Sequence, residues 1–261
     1  MRNIPFVKAT ACGNDFILIE AQHTQPAQMA ETTRRICDRH LGVGADGVEW
    51  LLVPEDADAA ARLMNSDGSD AEISGNGTRC VAAWVAHQQG KSEVRVRTEA
   101  GVKTCTLIRR DGMKFEFKTR MGEPQVGDPF SIKLAFGDVN GIPLSMGNPQ
   151  FVVFVDEFHP GWQAEAAEIG RHHDFKYGTN VELVKVNGAG EIEIRIFERG
   201  AGETLSSGTG SCAAAIASIF TKRVKSPVRV ISPGGAQTVE WNREVLLYGP
   251  AEIICQGEFY P

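Results

Sequence analysis

No stretch of this sequence is apolar for the roughly 18 or more residues that cross a bilayer as a helix. The opening Met1-Arg2-Asn3-Ile4-Pro5 lacks the apolar segment of a signal peptide, so the expected compartment is the cytoplasm. Positive charge is not in excess either. The net charge is −6 and the pI about 5.6, which argues against a nucleic-acid surface or an anionic membrane as partner. The six cysteines, Cys12, Cys37, Cys80, Cys105, Cys212 and Cys255, include no C-x-x-C pair. Neither a metal site nor a disulfide framework is therefore indicated, and reduced thiols are expected. Two phosphate-binding signatures are missing in proper context: G-x-x-x-x-G-K-[ST], and G-x-G-x-x-G followed by an acid. No lysine carries the signal of a pyridoxal Schiff base. No cofactor is expected.

What is present is a soluble globular composition, 42% hydrophobic and 23% charged, in 261 residues. That length suits one large domain or two of ordinary size. Two segments repeat each other. Ser74-Gly75-Asn76-Gly77-Thr78 runs into Cys80-Val81-Ala82-Ala83, and Ser207-Gly208-Thr209-Gly210-Ser211 runs into Cys212-Ala213-Ala214-Ala215. Each is a Ser-Gly-x-Gly turn opening into a helix of small residues. Other loops keep the same register: Asn14 to Asn148 and Gly44 to Gly178 at 134 residues, Asn65 to Glu198 and Ser74 to Ser207 at 133. A single G-x-G match is common; a register kept across half a chain points to two related domains.

Coarse periodicity supports the same order in both halves. Strands are expected over Asp15–Ile19, Val48–Val53 and Ala60–Met64, with a helix over Pro26–His40 and alternating strands over Glu93–Thr119. In the second half, strands are expected over Phe151–Val155, Val181–Val186 and Glu191–Phe197. A helix is expected over Gly161–His172, and strands over Val228–Tyr260. The two small-residue helices are expected to reach about Gln89 and Arg223. The class is α+β: two pseudo-symmetric barrel-like halves, each a curled sheet around a central helix.

The chemistry follows from the turns. The first amides of a helix have no internal partner and carry the positive end of the helix dipole, which makes an anion seat. Two such seats facing one ligand suit a carboxylate. Asn14, Asn65, Asn148 and Asn180 add neutral donors and acceptors, and Glu198 and Arg199 add an acid and a forked cation. Together they describe a small zwitterion. Taken singly, Asn65-Ser66-Asp67-Gly68 reads as an ordinary turn, Ser74 and Ser207 as ordinary N-caps, and Cys80 and Cys212 as packing.

Seven collinear blocks resemble diaminopimelate epimerase, a pyridoxal-independent amino-acid racemase family. They are Gly13-Asn14-Asp15-Phe16, the run from Arg39 to Gly47, Asn65 to Ser69, Gly75 to Cys80, Met146-Gly147-Asn148-Pro149, Thr179-Asn180-Val181, and Glu198 to Thr204 continuing through Gly208-Thr209-Gly210. The resemblance implies halves at 1–117 and 118–251, with strand 252–261 returning to the first, and a site between them. It implies inversion at an α-carbon by two opposed acid/base groups at Ser74 and Ser207, with Glu198 as a partner. The implied substrate contacts are Asn14, Asn65, Gly75, Asn76, Asn148, Asn180, Glu198, Arg199, Gly208 and Thr209.

Family members carry cysteine where this chain has Ser74 and Ser207. A thiol ionises near pH 8.5, whereas a serine hydroxyl is far weaker and acts through a neighbouring base. The family histidine after Met-Gly-Asn-Pro is Gln150 here, and the early family histidine is Thr10. Besides epimerisation of diaminopimelate, two readings stay open: an isomerase or dehydratase with one working acid/base group, and a non-catalytic amino-acid binder. The oligomeric state is left open, a homodimer being one option.

Overall fold

A computed structural model of the chain describes residues 3–71 and 73–261. Two compact units emerge, one running up to Arg120 and including Tyr248–Pro261, the other Met121–Leu247.

The first unit carries β1 (Ile4–Ala11), β2 (Asn14–Glu20), α1 (Met29–Cys37), β3 (Gly47–Leu52), β4 (Ala59–Asn65), the short β5 (Asp70–Ala71), α2 (Gly75–Gln89), β6 (Glu93–Thr98), β7 (Gly101–Asp111) and β8 (Lys114–Gly122). Neighbouring strands pair in the order β1, β2, β3, β4, β6, β7, β8. The last strand of the chain, β18 (Val245–Phe259), pairs with β1 and with β8 and closes the ring. Closure removes the exposed sheet edges that would otherwise invite aggregation.

Inside the ring runs α2. Cys80, Val81, Ala82 and Ala83 are fully buried there, packed by Phe16, Leu18, Phe115 and Phe117 from the strands. A helix wrapped by strands has limited room around it, which accounts for the small Cys80, Ala82 and Ala83. It ends at Gly90 in the left-handed conformation (φ 68°), whose amide bonds Ala86 O at 3.0 Å. On the outer face, α1 covers Ile17, Ile19, Val48 and Trp50.

The second unit repeats this order through β9 (Gln125–Val126), β10 (Phe130–Leu134), β11 (Gly137–Ser145), β12 (Pro149–Phe154), α3 (Trp162–Gly170), β13 (Asn180–Gly188), β14 (Glu191–Glu198), β15 (Gly202–Thr204), α4 (Gly208–Phe220), β16 (Val228–Ser232) and β17 (Gly235–Trp241). The pairing senses also repeat. As with β2–β3, β3–β4, β4–β6 and β6–β7, the pairs β12–β13, β13–β14, β14–β16 and β16–β17 alternate parallel and antiparallel. The curled sheet surrounds α4, where Cys212 through Ala217 are fully buried. On the outer face, α3 covers Phe151, Val153, Val181 and Leu183.

Several expectations needed adjustment. The helix expected over Pro26–His40 is a 3-10 turn at Pro26–Gln28 followed by α1, which stops at Cys37. Asp38 turns extended, and its carboxylate accepts the amides of His40 and Leu41 at 2.8 Å. The glycine-rich loop then folds back on the helix end: Val43 and Gly44 both donate to Ile36 O at 2.9 Å. Gly42 is obligatory in that return, since a Cβ would stand 2.2 Å from Arg35 O. α4 ends at Phe220, not near Arg223, because Lys222 takes a left-handed φ of 60°. β1 and β10 were not expected. In β1 the inward row is Val7, Ala9 and Ala11, and the two small alanines leave a faint hydrophobic alternation.

The tight fit around α4 gives a stability test. Ala214→Leu adds volume at a fully buried position and should cost about 1–3 kcal/mol, read as a lowered midpoint in denaturant melting.

Candidate active site

Ser74 and Ser207 are the N-caps of α2 and α4, in near-identical extended conformations (φ −121°, ψ 123° and φ −137°, ψ 131°). Each hydroxyl oxygen accepts the third helical amide, Gly77 N or Gly210 N, at 3.1 Å. Accepting an N–H leaves the hydroxyl proton available to donate and favours charge on the oxygen. The first amides, at Gly75-Asn76 and Gly208-Thr209, have no intrahelical carbonyl to bind, and all four residues are buried.

Period-two alternation decides what surrounds these caps. In β2, Phe16 and Leu18 point at α2, so Asn14 does too; in β3, Leu51 points inward with Glu49. In the second unit Val184 points at α4, as do Ile194 and Ile196. Glu182 and Asn180 therefore share the inward row of β13, and Glu198 continues the inward row of β14. The inward rows are apolar along the helix and polar where the helix begins.

In the first unit these polar groups form one network. Asn14 Nδ2 donates to Asp46 Oδ2 at 2.6 Å, and Asn14 Oδ1 accepts from Asn76 Nδ2 at 3.4 Å. Asn76 Oδ1 in turn accepts from Arg79, a fully buried guanidinium that also donates to Gly75 O and Pro250 O. Arg39 bridges Asp15 and Asp46 at 2.8 Å, and Lys8 pairs with Asp15 at 2.7 Å. Burial opposes ionisation of Asp15, but hydrogen bonds from Arg39 and Lys8 hold its carboxyl below the usual value. Asn65 closes a turn, its Nδ2 on Ser69 Oγ at 3.1 Å and its carbonyl accepting Gly68 N at 2.8 Å.

In the second unit Gln150 Nε2 donates to Asn148 Oδ1 at 2.6 Å, and Asn148 Nδ2 reaches Thr209 Oγ1 at 3.4 Å. Thr209 Oγ1 lies 3.3 Å from Ser207 Oγ. Asn180 brackets two loops: Nδ2 donates to Pro149 O at 3.0 Å, and Oδ1 accepts Arg199 N at 2.9 Å. Arg199 also donates to Tyr177 O at 3.0 Å. Glu182 is fully buried, and both its oxygens lack a hydrogen-bond partner among the described residues. Burial, and then the charge of Glu198, raise its carboxyl well above the ordinary range. Glu49, its counterpart in the first unit, is pushed up to about 8 by burial.

The sequence pattern of diaminopimelate epimerase matches residues 6–127 and 143–254. The chain belongs to the diaminopimelate epimerase family. It is 37% identical over 278 residues to the diaminopimelate epimerase of Synechocystis sp., covering 98% of each chain, and 37% identical over 275 residues to that of Pelotomaculum thermopropionicum, covering 97% and 98%. Among solved structures it is similar to a hydroxyproline epimerase from Agrobacterium vitis with bound trans-4-hydroxy-L-proline (TM-score 0.77, 18% identity, 99% and 92% covered). It is also similar to a PhzF-family phenazine biosynthesis protein from Bacillus anthracis (TM-score 0.74, 16% identity, 100% of each chain covered). The fold of two curled sheets, each around a central helix, is the one the family resemblance implied.

Sequence reading of this diaminopimelate epimerase relative missed Glu49, Glu182, Arg79, Asp46 and Lys8. A signal existed for the glutamates. Each interrupts an apolar strand, Val48-Glu49-Trp50 and Val181-Glu182-Leu183, at the same 133-residue offset as the serines. Among the described residues, no disulfide joins the six cysteines and no helix is long and apolar enough to cross a membrane.

A raised carboxyl has a signed consequence. Between pH 4.5 and about 8 the folded protein keeps the Glu49 proton that the unfolded chain has lost, so stability falls as pH rises through that window. The accumulated loss is on the order of 5 kcal/mol from this group. Glu49→Gln should flatten the decline in melting temperature across that range and raise the melting temperature above pH 8.

Proposed function

We propose that this chain is a cofactor-independent amino-acid epimerase that interconverts LL- and meso-diaminopimelate, working in the cytoplasm without nucleic acid or membrane. The observation that carries the reading is the duplicated cap: two buried helix starts, each with a serine hydroxyl held by its third amide, in a chain of this family.

In this reading both cradles act on one substrate molecule. The amides at Gly75-Asn76 and Gly208-Thr209 hold the α-carboxylate, where helix dipoles favour negative charge. Asn14, Asn65, Asn148, Asn180, Glu198 and Arg199 hold the ammonium and the polar tail. One serine oxygen, as the alkoxide, takes the α-proton as the Cα–H bond breaks and becomes a hydroxyl, while the other starts as the hydroxyl and ends as the alkoxide. The electron pair delocalises into the carboxylate, which the fixed amides stabilise as charge builds there. The other hydroxyl then delivers its proton to the opposite face, forming the new Cα–H bond of inverted configuration. Asp46, through Asn14, and Gln150, through Asn148, fix the amides of two binding residues.

The test is α-proton exchange in deuterated water, followed by NMR on LL- and meso-diaminopimelate. Deuterium should enter one α-position as the isomers equilibrate. Absence of exchange with either isomer or with any other amino acid would end the reading. Ser74→Ala and Ser207→Ala should each lower turnover by about 100-fold or more. Asn148→Ala should chiefly raise KM. A product with a changed carbon skeleton, lost in Glu198→Gln and kept in Ser74→Ala, would point instead to an isomerase or dehydratase with one acid/base group.

A further inference from the structure

The chain leaves α3 at Gly170 and folds through successive turns before β13 begins. His172 N donates to Ile169 O at 3.0 Å, Phe175 N to His172 O at 2.9 Å, and Gly178 N to Phe175 O at 2.7 Å. Thr179 N returns to Gly170 O at 3.0 Å and shuts the loop. On this held backbone stand three consecutive side chains with metal-ligand chemistry, His172, His173 and Asp174.

His172 is the anchor. Its side chain is 8% exposed, and its ring meets Phe175 edge-on, 6.5 Å between centroids at 69°. Phe175 in turn packs on Phe130 and Phe151. His173 and Asp174 reach solvent, with side chains 85% and 43% exposed. Asp174 lies between the two imidazoles: Oδ2 is 3.4 Å from His172 Nδ1, and Oδ1 is 3.4 Å from His173 Nε2. One donor atom from each residue lies within 4.8 Å of the other two.

Both approaches are longer than the roughly 2.7–3.2 Å of a well-formed hydrogen bond. They match the edge, about 3.4 Å, of a tetrahedron whose corners stand about 2.1 Å from a central cation, the geometry zinc takes with imidazole and carboxylate. His172 Nδ1 also accepts Asp174 N at 3.4 Å. That contact needs an unprotonated Nδ1 lone pair facing Asp174, which is the state a metal ligand requires. Two imidazoles and a carboxylate suit zinc, nickel or copper; magnesium and calcium prefer oxygen throughout.

We propose that His172, His173 and Asp174 form a surface site for one divalent transition cation of the zinc class, with water completing the coordination. Rotation of the exposed His173 ring brings its nitrogen to the cation, while His172 and Asp174 need little movement. The site uses none of the residues assigned to the substrate, so it is independent of the epimerase reading. A bound cation would fasten the exposed turn to the aromatic cluster beside α3. The same loop runs on through Tyr177, whose carbonyl accepts Arg199, to Asn180.

The test is calorimetric titration of the full, tag-free chain with ZnCl2, alone and in competition with MgCl2, in a buffer that does not chelate. One Zn2+ should bind per chain, and Mg2+ at about a hundredfold excess should not displace it. His173→Ala and Asp174→Asn, both at exposed positions, should each weaken Zn2+ binding about tenfold or more, and His172→Ala at least as much. Two further variants separate this site from adventitious capture. Cys255→Ser removes the exposed thiol, and His159→Ala removes a second imidazole–carboxylate pair, His159 with Glu165 at 3.0 Å. Both should bind Zn2+ as the parent does. Saturating Zn2+ should also raise the Tm of the parent and leave that of Asp174→Asn unmoved. Absence of Zn2+ binding, affinity kept within about threefold in all the ligand variants, or loss of binding in Cys255→Ser or His159→Ala overturns the inference. If His172→Ala does not fold, His173→Ala and Asp174→Asn decide.

Discussion

Everything in each unit depends on burying a helix inside a curl of strands. Such a helix is surrounded, so its side chains are mostly small; Cys80 to Ala83 and Cys212 to Ala217 are alanine and cysteine apart from Val81 and Ile216. Its first amides have no intrahelical carbonyl to bind. The inward rows of the strands therefore turn polar just where the helix begins, and a serine caps it. The same constraint that builds the core concentrates hydroxyl, amide and carboxyl groups around one helix end. A place suited to an anion is thus a by-product of packing before it is a site.

The two units solve this problem with different side chains. The first uses a buried cation, Arg79, and an ion-pair network of Lys8, Asp15, Arg39 and Asp46 behind Asn14. The second uses neutral amides, Gln150 onto Asn148 and Asn180 between two loops, with Glu198 and Arg199 at the end of β14. Asn65 and Glu198, equivalent in register, differ in the opposite sense: the neutral Asn65 closes a turn, while Glu198 charges the space beside Glu182. Pseudo-symmetry of fold does not impose symmetry of charge, because only backbone and packing are fixed by the ring.

Loops rich in glycine divided into two kinds once placed. The Ser-Gly-x-Gly turns admit carboxyls next to the helix, at Gly77 and Gly210. The Leu41–Gly47 loop, equally rich in glycine, closes the end of α1 onto Ile36 O and Cys37 O. Composition does not separate these uses; the direction in which the amides point does.

By itself, the sequence determined the duplication, the two small-residue helices and their caps, and the matched blocks that carry the family. These are local or periodic features, visible whenever spacing alone sets which residues share a face. Only the tertiary structure decided that Glu49 and Glu182 lie against Gly77 and Gly210 and that Arg79 is buried against Asn76. It also decided that Asn180 holds loops together. Those depend on which strands become neighbours and how far each inward row reaches along a helix distant in sequence. A single glutamate in an apolar strand acquires meaning only when the ring closes around what it faces.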